Sequence, residues 1–98
     1  MGYYIGEIVK LRKEFFSSFE EGDYSSAIKT GAQMLKIYKD NDDCTSLEYA
    51  NDINNLAIVY DMVMMYDKAI KLYSEAAEIR EKHLGEKSAA LADTLGNW

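Results

Sequence analysis

The chain repeats itself at an interval of 42 residues, and no other feature limits its fold as strongly. Sliding the sequence by 42 pairs Tyr24 with Tyr66, Ala27 with Ala69, Ile28 with Ile70, Lys29 with Lys71 and Ile37 with Ile79. It also pairs Ser46 with Ser88, Ala50 with Ala92 and Asn55 with Asn97. From Tyr24 onward these are eight identities in 33 pairs, where average residue usage gives about two by chance. A period of this length belongs to stacked supersecondary units, each of which buries its apolar face only against its neighbours. The N-terminal part is the weak spot. Phe15 pairs with Ala57, but Glu14 opposes Leu56 and Ser18 opposes Tyr60, which leaves room for a slip of one residue.

Within each unit the apolar spacing is helical, with steps of three and four. Residues 4–20 carry Ile5, Ile8, Val9, Leu11, Phe15, Phe16 and Phe19, a broad apolar face. Gly22-Asp23 breaks that helix, and Asp23 is placed to cap the next, over residues 24–39. There Tyr24, Ala27, Ile28, Met34, Leu35 and Tyr38 point inward, and Gly31 implies a close helix crossing that offsets its cost of about 1 kcal/mol against alanine. Thr45 and Glu48 have the spacing of a capping box, so a third helix starts near Ser46. Its stripe is Tyr49, Ile53, Leu56, Ala57 and Tyr60. After a turn between Asp61 and Asp67, the fourth carries Ala69, Ile70, Tyr73, Ala76, Ala77 and Leu84. Gly85 is able to end that helix in a left-handed conformation. Ser88 then caps a fifth, through Leu91 and Leu95 to Trp98.

The phrases of the second unit carry a resemblance. Leu56, Ala57, Tyr60, Tyr66, Ala69, Tyr73 and Ala76 match the spacing of the tetratricopeptide consensus. The match is closer to the longer repeats of kinesin light chains and their bacterial relatives, through Ile53-Asn54-Asn55-Leu56-Ala57, Tyr66 to Tyr73, Glu78 to Gly85 and Ala90 to Leu95. It covers residues 47–98 and extends more loosely over 8–46. Two features depart from the family pattern: Met64 stands where the turn glycine is usual, and the chain has no proline. The resemblance implies a single all-α domain over residues 1–98, in which antiparallel helix pairs stack as a short right-handed α-solenoid. It would hold about two and a half repeats: one near 4–40, one near 46–84, and a half repeat or capping helix near 88–98.

Composition excludes several functions. A net charge of −6 over 98 residues argues against nucleic acid, which needs a basic surface, and against anionic membranes. No apolar run is long enough to span a bilayer, and MGYYIGEIVK lacks the apolar core of a signal peptide. Cys44 is the only cysteine, so no internal disulfide can form; that suits a reducing compartment and a cytoplasmic protein. With one cysteine and one histidine, His83, a catalytic site or a metal set has little to draw on. Neither an enzyme nor a cofactor is expected. His83 reads as a residue near a helix end, where positive charge suits the helix dipole. Asp40-Asn41-Asp42-Asp43 fails as a calcium loop, with Thr45 in place of the glycine and Asn51 in place of the bidentate glutamate. Among Met62, Val63, Met64 and Met65, two are expected to be buried and two to lie on the neighbouring turn.

The candidate site is the polar side of the third helix. Asn51, Asn54, Asn55, Ile58 and Asp61 share one face, opposite the core stripe. Asparagine is a poor helix former, so propensity did not select three of them. Its amide both donates and accepts, which matches an extended peptide backbone. The resemblance implies that this face lines a concave groove and that Asn55 holds a bound peptide's main chain, with Asn97 its counterpart. From the first helix, Val9, Arg12, Lys13 and Phe16 would form the neighbouring wall, the two cations facing an acidic side chain or a C-terminal carboxylate. The alternative is a solvated face, or asparagine bonds to the adjoining repeat, with Arg12 and Lys13 as ordinary surface charge. The expected function is thus a non-catalytic module with a protein or peptide partner. A self-assembly module, or the peptide-sensing domain of a larger protein, stands beside it. Leu91, Leu95 and Trp98 are the candidate self-association residues.

Overall fold

The computed structural model describes the backbone of residues 3–95 and the side chains of residues 4–84. It is all-α: α1 (Tyr3–Glu20), α2 (Tyr24–Asp40), α3 (Leu47–Met62) and α4 (Tyr66–Leu95). Each helix packs on the next, so α1 and α2 form one pair and α3 and α4 the other, with α2 against α3 between them. The core fills from all four, through Ile8, Phe15, Ala27, Met34, Tyr38, Tyr49, Ile53, Leu56, Val59, Ala76 and Ile79.

Local chemistry sets the helix ends. Asp23 caps α2 as expected, its carboxylate accepting from the Ser26 N–H at 3.3 Å. For α3 the cap is Ser46 rather than Thr45; its hydroxyl accepts from the Tyr49 N–H at 3.1 Å. Glu48 is thereby released from the capping box and turns to Arg12.

The 42-residue interval holds in the backbone. In the first turn Glu21, Gly22 and Asp23 donate to Ser17, Phe19 and Ser18 at 3.1, 3.1 and 2.9 Å. Forty-two residues on, Val63, Met64 and Met65 donate to Val59, Asp61 and Tyr60 at 3.1, 3.1 and 2.8 Å. Ser18 is therefore the true counterpart of Tyr60, and the register does not slip there. Gly22 (φ 79°) and Met64 (φ 67°) take the same left-handed conformation. That geometry is natural for glycine and costs a methionine roughly 1–2 kcal/mol.

Gly31 marks the crossing of α2 over α3. A Cβ there would lie 2.7 Å from Leu56 Cδ1, so the buried Leu56 side chain occupies the space that any larger residue would need.

Three expectations are corrected. There are four helices among the described residues, not five. α4 runs unbroken through Gly85 and Ser88 to Leu95, because one interior glycine costs only about 1 kcal/mol and no proline enforces a stop. The stripe expected on the fourth helix also divides. Ala69 and Ala76 are buried, whereas Ile70 (62% exposed), Leu84 (52% exposed) and Ala77 face outward. α4 is the outer layer, and only its α3-facing side is covered. Finally, none of Met62, Val63, Met64 and Met65 is buried. Met62 ends α3 and the other three form the turn, beyond the end of the core.

Candidate functional site

The exposed side of α3 runs through Asn51, Asn54, Asn55, Ile58 and Asp61, because Tyr49, Ala50, Ile53, Leu56 and Ala57 occupy the buried side. α1 contributes an exposed apolar line next to it, Ile5, Val9 and Phe16. The two lines meet in a cleft of about 70 Å³ lined by Phe15, Phe16, Phe19, Asn55 and Ile58. Phe15 is buried, and its ring holds that of Phe16 edge-on at 5.4 Å. The cleft floor is thus apolar, with one amide at its rim. Among the described residues, the side chains of Asn54 and Asn55 have no hydrogen-bond partner, and both are half-buried.

The remaining candidates divide. Val9 and Lys13 are exposed on α1, and Asp61 is exposed in the last turn of α3. Asn51 is already engaged, its side-chain oxygen accepting from Arg80 Nη2 at 2.8 Å. Arg12 is committed too. Its Nε and Nη2 donate to the two oxygens of Asp52, each at 2.8 Å, and Nη2 also reaches Glu48 at 3.3 Å. The acidic side chains it meets are this chain's own. Leu91 and Leu95 lie in the α4 backbone with their side chains outside the described residues, and Trp98 lies outside them altogether.

Asp52 is the residue sequence reasoning missed. It is a carboxylate with 3% exposure, and it also accepts the Tyr38 hydroxyl. The signal was available: Asp52 stands one residue before Ile53 and four before Leu56, on the edge of the buried stripe. Its bond and charge hold the Arg12 guanidinium above its ordinary pKa. Burial first, and then the bond to Asp52, hold the Tyr38 phenol well above the ordinary tyrosine value. Both groups therefore keep their protons across any ordinary pH. A bidentate pair with a satisfied phenol fixes geometry and has no proton to exchange. The cluster ties α1, α2 and α3 together beside the cleft.

Other polar side chains act as ties. The Tyr49 hydroxyl donates to Glu75 at 2.8 Å, joining α3 to α4. The Tyr4 hydroxyl donates to Asp43 at 2.6 Å, joining α1 to the α2–α3 loop. His83 is not at a helix end: it lies within α4, and its Nε2 donates to the Thr45 carbonyl at 2.6 Å. No buried side-chain nitrogen or oxygen among the described residues lacks a partner. Among the same residues no group of three His, Cys, Asp or Glu is placed to hold a metal ion, and no helix is long and apolar enough to cross a membrane.

No family model matches the chain, no curated protein matches it, and no solved structure matches it.

Proposed function

We propose that the chain is a tetratricopeptide-type repeat module that binds a peptide segment of a partner protein, without catalysis, along the face shared by α1 and α3. A cytoplasmic setting suits its single cysteine. The observation that carries the reading is the pairing of unengaged amides with exposed and half-buried apolar side chains on that one face. Asn54 and Asn55 stand beside Phe16 and Ile58, with Val9 further along α1. Most other polar groups nearby are occupied within the chain, as Arg12, Asp52 and Asn51 are. The amides would hold a peptide main chain, which needs both a donor and an acceptor. The cleft by Phe16 and Ile58 would take one small apolar side chain, a limit set by its volume. Lys13, exposed on the same helix, would favour an acidic residue in the ligand.

The test is selection of peptides from a displayed library on the immobilised chain, followed by calorimetry on the best binder. Asn55→Ala should weaken that binder at least about tenfold, which is about 1.4 kcal/mol, with helix content unchanged. Undiminished affinity in Asn55→Ala and in Ile58→Asp would reject this site.

A further inference from the structure

α2 has two working sides. One faces α1. The other, through Gly31 and Tyr38, receives α3: Gly31 lies under Leu56, and the Tyr38 and Tyr49 rings meet edge-on at 5.2 Å. Leu35, beside Tyr49 and Leu56, lies on the same side. Moved on by 42 residues, Gly31, Leu35 and Tyr38 become Tyr73, Ala77 and Arg80 on α4, with Ile70 one turn before them. That side is exposed at Ile70 and Ala77 and half-buried at Tyr73 and Arg80. α4 therefore presents a receiving surface for a helix of α3 type.

The same interval says which helix fits. Leu91, Ala92, Leu95 and Trp98 correspond to Tyr49, Ala50, Ile53 and Leu56, all four of them buried in α3. Ser88 corresponds to the Ser46 cap. The C-terminal segment thus carries the apolar pattern that α3 uses against α2. It cannot reach its own α4 surface while α4 continues straight to Leu95.

We infer that the exposed side of α4 receives residues 88–98 of a second copy, so that two chains exchange their C-terminal segments. The register agrees with this. Gly31 with Leu56 and Tyr38 with Tyr49 become Tyr73 with Trp98 and Arg80 with Leu91. Both of these pairs share one midpoint, between Gly85 and Glu86. Two α4 helices laid antiparallel about that point bring Arg80 to Leu91 in both directions, with one two-fold axis. Such an isologous contact closes on itself. This inference is independent of peptide binding by α1 and α3.

The test has two parts, both on the full chain. Sedimentation equilibrium should give a dimer, and Ile70→Glu should weaken association about thirty-fold, which is about 2 kcal/mol at 1.4 kcal/mol per decade. Helix content should stay unchanged, because Ile70 is exposed within the single chain. In a Cys44→Ser background, chains carrying Arg80→Cys and differently tagged chains carrying Leu91→Cys should, on mild oxidation, form a disulfide between the two tags. A monomeric wild type overturns the inference. So does a dimer indifferent to Ile70→Glu. An intrachain disulfide in the double variant, with no interchain product, would mean that the segment folds back on its own α4, and would overturn it equally.

Discussion

The two inter-helix turns follow one backbone path with different residues. In the first, Gly22 takes the left-handed position and Asp23 caps the helix that follows. In the second, Met64 takes the same conformation, and Met65 has no side-chain oxygen with which to cap α4. The hydrogen bonds match donor for donor. The path is therefore imposed by the packing of the helix pair, and the second turn tolerates residues that do not favour it. The junctions differ more deeply. α2 meets α3 through Tyr38, whose hydroxyl donates to the buried Asp52 that Arg12 of α1 pairs, whereas the equivalent side of α4 is open and carries Arg80 where α2 has Tyr38.

That contrast can be broken most severely at the ion pair. Arg12→Ala strands the Asp52 carboxylate, and the junction should lose about 3 kcal/mol, less than a fully buried pair would because the Arg12 side chain is 27% exposed. Urea denaturation reads the loss. The helix crossing comes next. Gly31→Ala should destabilise by about 1–2 kcal/mol, since overpacking against the buried Leu56 outweighs the gain in helix propensity. Converting the second turn to the first, by Met64→Gly with Met65→Asp, should stabilise by about 1–2 kcal/mol through relief of the left-handed methionine and a new cap. Thermal unfolding of the double variant measures it. If nothing is gained, the two turns are not equivalent.

The smallest effect at neutral pH is the alkaline one. Burial is the first cause that raises the phenols of Tyr38 and Tyr49, followed by their bonds to Asp52 and Glu75. A raised folded value favours the protonated form in the folded chain. The contribution is full below the ordinary tyrosine value of about 10 and is lost as pH rises from there towards the folded values. Stability should be flat in pH from neutral to about 10 and should fall above it. Tyr38→Phe should shallow that fall, as denaturant midpoints across pH would show.

Much of this was legible because period and spacing report faces. The Gly22-Asp23 break and the gap in the apolar stripe between Asp61 and Asp67 located both turns, and α3's asparagine stripe fell on the side away from the core. What escaped has a physical cause. Ile70 and Leu84 fit a helical stripe, but a stripe does not say whether a neighbour covers it. Gly85 carries a stop signal too weak to act without proline. Asp52 stood on the edge of the buried stripe, but the partner that makes its burial possible, Arg12, lies forty residues away in sequence. Ile5 escaped as an exposed residue, although its four-residue spacing from Val9 put both on one line.

The central claim is that the α1–α3 face holds a peptide. An amide proton–nitrogen correlation spectrum, recorded with and without the library-selected peptide, tests it most directly. The account predicts shifts concentrated at Val9, Phe16, Asn54, Asn55 and Ile58, including the side-chain amides of both asparagines. Shifts confined to Tyr66, Ile70 and their neighbours on α4, with Asn54 and Asn55 unmoved, would contradict it.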